Sequence, residues 1–310
     1  MIDERAYELL CCQLGLVNEE KAGLRNMVDE TTELVGVEIP EGKAYRRKYL
    51  WVFFAKHVKL VYYHYNNGSR ASDVAKTFLE HFMSSISTDG YTVYRMYDGE
   101  ESKVLHIGCW THSRRLWVDA LPSDRTAMDI IGSIGDMFRN EDLFHTVKLS
   151  GEQVKEKRLK LTGPILERIH HKVVMMMQDT KLMANELMRR AVSYTINQWK
   201  SLKNIFKEGS ADISNNLCEQ RMKPVKLLLK NCMNIGSEDA AGNSAFIFSL
   251  IESCKLNDLD PLDYLKYLEC ILHGKGCEKK TLVPCLYNRN VKTKIFSYRH
   301  LHFIGWKNSR

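Results

Sequence analysis

Apolar residues follow two rhythms along this chain, and the switch between them divides it. Short runs rich in Val, Tyr, Phe and Trp predict strands. A first strand is reached through "GLRNMVDET" and ends near Asp29. A second is "KYLWVFFA" (48–55) and a third "VKLVYYHY" (58–65), with the two-residue link Lys56-His57 making the pair a hairpin. "SRASDVAKTFLEHFM" then sets Val74, Phe78, Leu79 and Phe82 on one helical face, with Ser69 or Ser72 as cap. A short strand in "SSISTDGY" ends at Asp89, and a fifth, "KVLHIGCW", spans 103–110.

From about 111 to 206 the strand pattern stops. Apolar residues recur at i, i+3 and i+4 in "TAMDIIGSIGDMF", "PILERIHHKVVMMM" and "NELMRRAVSYTINQWKSLKNIF", which predicts helices throughout. A helix holding Glu219 follows in "ISNNLCEQRMKPVKLLLKN", then apolar helices at "NSAFIFSLIESCKL" (243–256) and "DPLDYLKYLECIL" (260–272). The expected organisation is an amino-terminal helix (1–22), the first part of a core (23–110), an all-helical insertion (111–206), the completion of the core by the Glu219 helix (207–256), and a carboxy-terminal helix with a basic, aromatic tail (257–310). The order of three strands, a helix, a strand, a helix or loop and a strand is that of an α/β, ribonuclease-H-like mixed sheet.

Composition adds limits. A 310-residue chain with 44% hydrophobic residues can build a sizeable core, and its formal charge of +7 favours a polyanionic partner only modestly. Nine cysteines include no CxxC pair, and the opening "MIDERAYELL" does not read as a signal peptide, so a reducing cytoplasm is the expected location. Lys and His interrupt every apolar stretch short of the ~20 residues a membrane helix needs.

Candidate chemistry rests on carboxylates. Asp29 and Asp89 end strands predicted to be neighbours, so both reach one sheet edge. Hard divalent cations take oxygen ligands, and two of them can activate a nucleophile and stabilise the leaving oxygen of a phosphodiester. Glu219 is a natural third ligand. With Ser214 or Asn215 as cap, Asn216, Glu219 and Lys223 share a helix face. Taken singly, Asp at a strand end is a turn or capping residue more often than a ligand, and Glu in a helix is usually solvated.

The segments "VDET" (28–31), "STDGYTVY" (87–94), "GCWTHSRRLWVDA" (108–120), "AVSYTINQWKSL" (191–202), "ISNNLCEQRMKPVKLLLKN" (213–231), "GSEDAAGNSAFIFSLIESCKLNDLDPLDYL" (236–265) and "LVPCLYN" (282–288) resemble, in order, the catalytic core and carboxy-terminal segment of transposases of the insertion-sequence-66 family. The resemblance implies a DDE transposase with the triad Asp29, Asp89 and Glu219 and two Mg2+ (or Mn2+) ions. Metal-activated water would cut the 3′ end of the element, and the freed 3′-hydroxyl would attack target DNA. No Ser, Tyr or Cys nucleophile is then required. It further implies DNA as partner, a homo-oligomer joining two ends, nucleoid association, and no membrane or small-molecule cofactor.

"GCWTHSRR" resembles the Cys-x-x-His signature that several DDE groups carry after the second Asp. His112 is therefore a candidate beside the scissile phosphate, against a packed histidine. Cys109 and His112 alone make only half a zinc site. Arg114, Arg115, Asn216, Lys223, Lys226 and Lys230 are candidate DNA contacts, against solvated helix faces, and Pro224 should kink or end its helix. Among Lys155, Lys157, Arg158, Lys160, Arg168, Lys172, Arg189 and Arg190, a solvated face is the plainer reading and DNA contact the sharper one. Trp110, Trp199 and Met175–Met177 read as packing material.

Family members commonly have Asp, Arg and Arg where Ser214, Gln220 and Lys223 stand, which alters the grip on DNA near Glu219. They also carry a helix-turn-helix and a cysteine-rich zinc region ahead of the core, neither of which is read here. A truncated remnant that binds DNA nonspecifically, or pairs with full-length copies without catalysis, is the alternative.

Overall fold

The computed structural model describes residues 25–79, 84–99, 101–266 and Pro284. The helix read at 1–22, Phe82, most of the helix read at 260–272 and the basic tail lie outside them.

Five strands build a mixed sheet of order β3-β2-β1-β4-β5. β1 (Arg25–Ile39) and β2 (Gly42–Ala55) are antiparallel, β3 (Leu60–His64) is antiparallel to β2, and the later strands β4 (Ser85–Thr88) and β5 (Leu105–Gly108) run parallel to β1. This is the mixed sheet of the ribonuclease-H-like reading. The helix α1 (Ser72–Phe78) comes between β3 and β4 as expected, but Ala71 stands at its N-cap and Ser69 instead accepts from the Ala71 N–H at 3.1 Å.

β1 does not end near Asp29. It continues ten residues further, to Ile39, and turns through Pro40-Glu41 into β2, with Gly42 at φ +127 where an L side chain is disfavoured. The polar run "ETTELVGVEIPEGKAYRR" hides this hairpin because two strands that satisfy each other's backbone need little apolar surface. The β2–β3 link is also longer than two residues: a 3-10 turn, Lys56–Val58, precedes Lys59 in the left-handed region.

One sheet face packs Val28, Trp51, Phe53 and Tyr62 against Val74 of α1 and Tyr94. After β5 the chain is helical: α2 (Trp110–Ala120), α3 (Ala127–Thr146), α4 (Gly151–Lys157), a π turn (Arg158–Thr162), α5 (Gly163–Gln178), α6 (Thr180–Ala184), α7 (Glu186–Asn197) and α8 (Trp199–Lys203). These helices share a second core built on Trp110, Trp117, Ile134, Ile169, Val192 and Leu202. Trp110 is fully buried and meets Trp199 edge-on at 6.1 Å. Met176 packs against this core, but Met175 and Met177 are exposed, because three consecutive helical residues cannot all face one side.

Arg158 is neither solvated nor free for DNA. It is buried, bonded through both arms to Glu141 (2.8 and 2.7 Å), and donates to the carbonyls of Ile205, Glu208 and Ala211. The π turn swings it inward, where it satisfies backbone acceptors at the helices' exit.

The opposite sheet face packs Met27, Leu50, Val52 and Phe54 against Cys218, Met222 and Val225 of α9 (Asn216–Cys232). Pro224 does not end α9, which runs on to Cys232. Only the bond to the Gln220 carbonyl is lost, and the apolar face packed on the sheet carries the helix through. Finally α10 (Glu238–Leu256) covers the outer edge of β3, where Ser249 and Ser253 accept from the Tyr63 and Val61 N–H groups at 2.8 and 3.1 Å.

Candidate active site

The parallel pairing of β1 with β4 covers only Arg25–Met27 against Ser85–Ser87. Just past this shared stretch, at the carboxyl end of β4, the two chains carry Asp29 and Asp89. Ligand clefts in sheets with parallel strands form at such ends.

Several groups fix Asp89. Its Oδ1 accepts from the Tyr91 N–H at 2.9 Å, and its carbonyl accepts from the Tyr194 hydroxyl at 2.7 Å. Gln198 donates to the Gly90 carbonyl at 3.0 Å, so α7 and the residue capping α8 clamp this turn. Gly90 lies at φ +93, and a Cβ there would meet the Tyr194 hydroxyl at 2.7 Å. Below it, Thr88 Oγ1 is 2.8 Å from His106 Nε2, and His106 Nδ1 is 2.8 Å from Asp98.

Glu219 enters from the other side on the first turn of α9. Asn215 stands at the N-cap of that helix, but its side chain makes no capping bond. Its amide instead donates to the Val28 carbonyl at 3.1 Å, next to Asp29, while its own N–H rests on the Cys109 sulfur at 3.2 Å. Cys218 adds a weak thiol contact to the Met27 carbonyl. Ser214 accepts from the Asn216 N–H. Glu219 is thereby anchored over β1.

From α2, His112 Nε2 stands 3.3 Å from Glu219 Oε1, and Arg115 stands 3.5 Å from Oε2. The His112 contact is not a hydrogen bond, so Glu219 Oε1 has no hydrogen-bond partner among the described residues, and on the other side of the ring the buried His112 Nδ1 has none either. Burial lowers the His112 pKa against the opposing pull of Asp89 and Glu219. Cys109 is buried with its thiol pushed up by burial, as suits a packing and hydrogen-bonding role rather than zinc ligation.

Electrostatics bind the acids into one group. Asp29 is pushed up to about 8, first by burial, then by Asp89, Glu30 and Glu219, against the opposing Glu30 N–H bond. Glu30, a fourth acid, was hidden because strand alternation turns it to the opposite face from Asp29. Arg70 grips it at 2.6 and 3.2 Å while lying 3.8 Å over the Tyr91 ring. Burial and Asp89 raise the Glu30 pKa in spite of Arg70. No sequence signal marked Arg70, which precedes its helix in a plain loop.

A family model described as "Transposase IS66 family" matches residues 21–243, most of the chain. The chain belongs to the transposase IS66 family. Three uncharacterized proteins of Sinorhizobium fredii (strain NBRC 101917 / NGR234) are similar to it. The protein y4jD is 27% identical over 70% of this chain and 43% of its own length. For y4qI the figures are 25%, 84% and 50%, and for y4hP 22%, 65% and 39%. The chain thus spans about half the length of the curated relatives it matches. No solved structure matches it.

Three acids share one electrostatic neighbourhood, since the charges of Asp89 and Glu219 both raise Asp29, and Glu219 adds a buried oxygen lacking a hydrogen bond; oxygen donors of this kind suit hard divalent cations. As the side chains stand, no three His, Cys, Asp or Glu residues among those described are close enough to hold a metal together. Glu219 is turned toward His112 and Arg115.

The remaining candidates lie apart from the acids. Arg114 is exposed on α2. Asn216, Lys223, Lys226 and Lys230 are exposed along α9, the last two roughly 10 and 16 Å along the axis from Glu219. No helix among the described residues is long and apolar enough to cross a membrane.

Proposed function

We propose that this chain is the catalytic core of a DDE-type DNA transposase that hydrolyses a phosphodiester at transposon ends and transfers the 3′-hydroxyl strand into target DNA. The observation that carries the proposal is that Asp29, buried near the carboxyl end of β4, is raised by the negative charges of Asp89 and Glu219, which come from two other elements.

When bound, two Mg2+ or Mn2+ ions would supply water activation and stabilisation of the leaving oxygen. Asp29, Asp89 and Glu219 would hold them. Burial of Asp29 beside two further acids makes the metal-free site unfavourable, so cation binding gains from relieved repulsion. Glu219 would release its contacts with His112 and Arg115 to join the other acids, which frees the His112 imidazole and the Arg115 guanidinium to face a phosphate. Arg70 would hold Glu30 back from the site by donating from Nε and Nη2 to its single oxygen Oε1, while Tyr94 donates to Oε2. Arg114, Asn216, Lys223, Lys226 and Lys230 would contact the DNA backbone beyond the reacting phosphate. The helices read as an insertion at 111–206 would serve this role by bracing the Asp89 turn through the bonds of Tyr194 and Gln198.

The test is nicking of supercoiled plasmid by the purified chain with Mg2+ or Mn2+, beside Asp89→Asn. Nicking that is lost in the variant supports the proposal. Salt-sensitive DNA binding without metal-dependent nicking would instead support a non-catalytic DNA-binding remnant.

A further inference from the structure

The β1–β2 hairpin outruns the sheet. Among the described residues β3 pairs only with Trp51–Ala55 and β4 only with Arg25–Met27, so beyond them the ribbon's strands pair with each other, with a bridge from Val35 to Ile235 and one face covered where Val35 packs on Ile235 and Ala241. Register fixes which side chains share a face. Tyr49 stands opposite Thr32, Arg47 opposite Leu34, Tyr45 opposite Gly36 and Lys43 opposite Glu38. One face therefore carries Lys43, Tyr45, Arg47 and Tyr49 in file, and Arg46 stands on the other.

Lys43, Tyr45, Arg46 and Arg47 are all exposed, Tyr45 by half. The segment Gly42–Tyr49 holds four cations and no acid, with Glu38 and Glu41 near the tip. Among the described residues, Lys43, Arg46 and Arg47 make no ion pair, whereas Lys48 is held by Glu238 at 2.7 Å. The file continues inward: Arg70 lies 5.0 Å from the Tyr49 ring centroid and, through its bond to Glu30, reaches the acid cluster. Lysines along a strand edge can simply block unwanted pairing. That accounts for neither an exposed Tyr between two cations nor a basic and aromatic track that leads to the acids.

We infer that this ribbon is an arm that grips the phosphate backbone of a DNA duplex on its way to the Asp29–Asp89–Glu219 site. The choice of DNA as the polyanion rests on the transposase reading. A two-stranded ribbon fits a major groove, and phosphate contacts from Lys43, Arg46 and Arg47 fix register without reading sequence. Tyr45 supplies a flat apolar surface against sugar or base edges.

The experiment is fluorescence anisotropy of a labelled 30-base-pair duplex with the full chain, across a salt series in EDTA, so that binding is read without cleavage. The arm variant is Lys43→Gln with Arg46→Gln and Arg47→Gln. A charge-matched control carries Arg125→Gln, Lys181→Gln and Lys203→Gln, three exposed cations elsewhere on the chain. The arm variant should lower the slope of log K against log salt by about 2 to 3 and weaken binding at least about tenfold near physiological salt, with melting unchanged and the control close to wild type. An unchanged slope in the arm variant, an equal loss in the control, or no duplex binding by the wild type overturns the inference. Nicking with an unchanged slope sinks the arm alone, whereas arm-dependent binding without nicking sinks the catalytic reading and leaves the arm standing.

Discussion

Asn215 donates its side-chain amide to the carbonyl of Val28 at 3.1 Å, joining residues 187 positions apart and seating the helix of Glu219 over the strand of Asp29. Both groups are buried, so the bond is not exchanged for water. Asn215→Ala should destabilise the chain by about 1–3 kcal/mol, because the Val28 carbonyl is left without its partner. It should also reduce metal-dependent nicking more than its loss of stability explains. Thermal melting beside nicking at a temperature where the variant is folded checks both.

Asp29 carries a folded pKa raised from 3.8 to about 8. Its favourable contribution is therefore present below about pH 4 and lost as pH rises through about 8. At pH 8 without metal, Asp29→Asn should raise Tm by on the order of 5 °C. Added Mg2+ or Mn2+ should raise the wild-type Tm and leave the variant nearly unmoved. A cation shift equal in both proteins would place binding elsewhere.

Glu33 lies two pleats along the same face, buried, with its Oε2 unpartnered and its pKa raised from 4.5 to about 7 by burial alone. Stability linked to it is present below about pH 4.5 and lost as pH rises through 7. Glu33→Gln should raise Tm by a few degrees at pH 7.5 and leave it nearly unchanged at pH 4.5. Melting curves at the two pH values decide this.

His112 touches the candidate metal ligand Glu219 but packs without a partner on Nδ1. His112→Ala should slow nicking by on the order of 10²-fold, in the range of lost acid–base or phosphate contacts, while leaving duplex affinity in EDTA near wild type. Equal rates for variant and wild type would reduce His112 to a packing residue.

Arg158→Met should cost about 3–5 kcal/mol, since Glu141 and three backbone carbonyls lose their buried donor. Denaturant unfolding measures it directly. A loss near zero would mean that these carbonyls find other donors.

The strand-rich start, the helical middle, the Glu219 helix and the family were all legible in the chain, because apolar periodicity and ordered motif blocks are local properties of sequence. Asp89 at a strand end was legible for the same reason. The long β1–β2 ribbon was not: its outer half is polar, and its strands are specified by pairing with each other rather than by burial. The roles of Asn215, Glu30, Arg70 and Tyr194 were not legible either, since each depends on a partner 40 to 187 positions away. Arg158 shows the same limit from the other side, a cation whose sequence neighbours make it look solvated and whose tertiary neighbours bury it. Sequence by itself determined which residue types and elements this protein has to work with. Tertiary structure decided which acids crowd together, which cations face solvent and which hold the core, because Coulomb interaction and desolvation depend on distance through space and not on position along the chain.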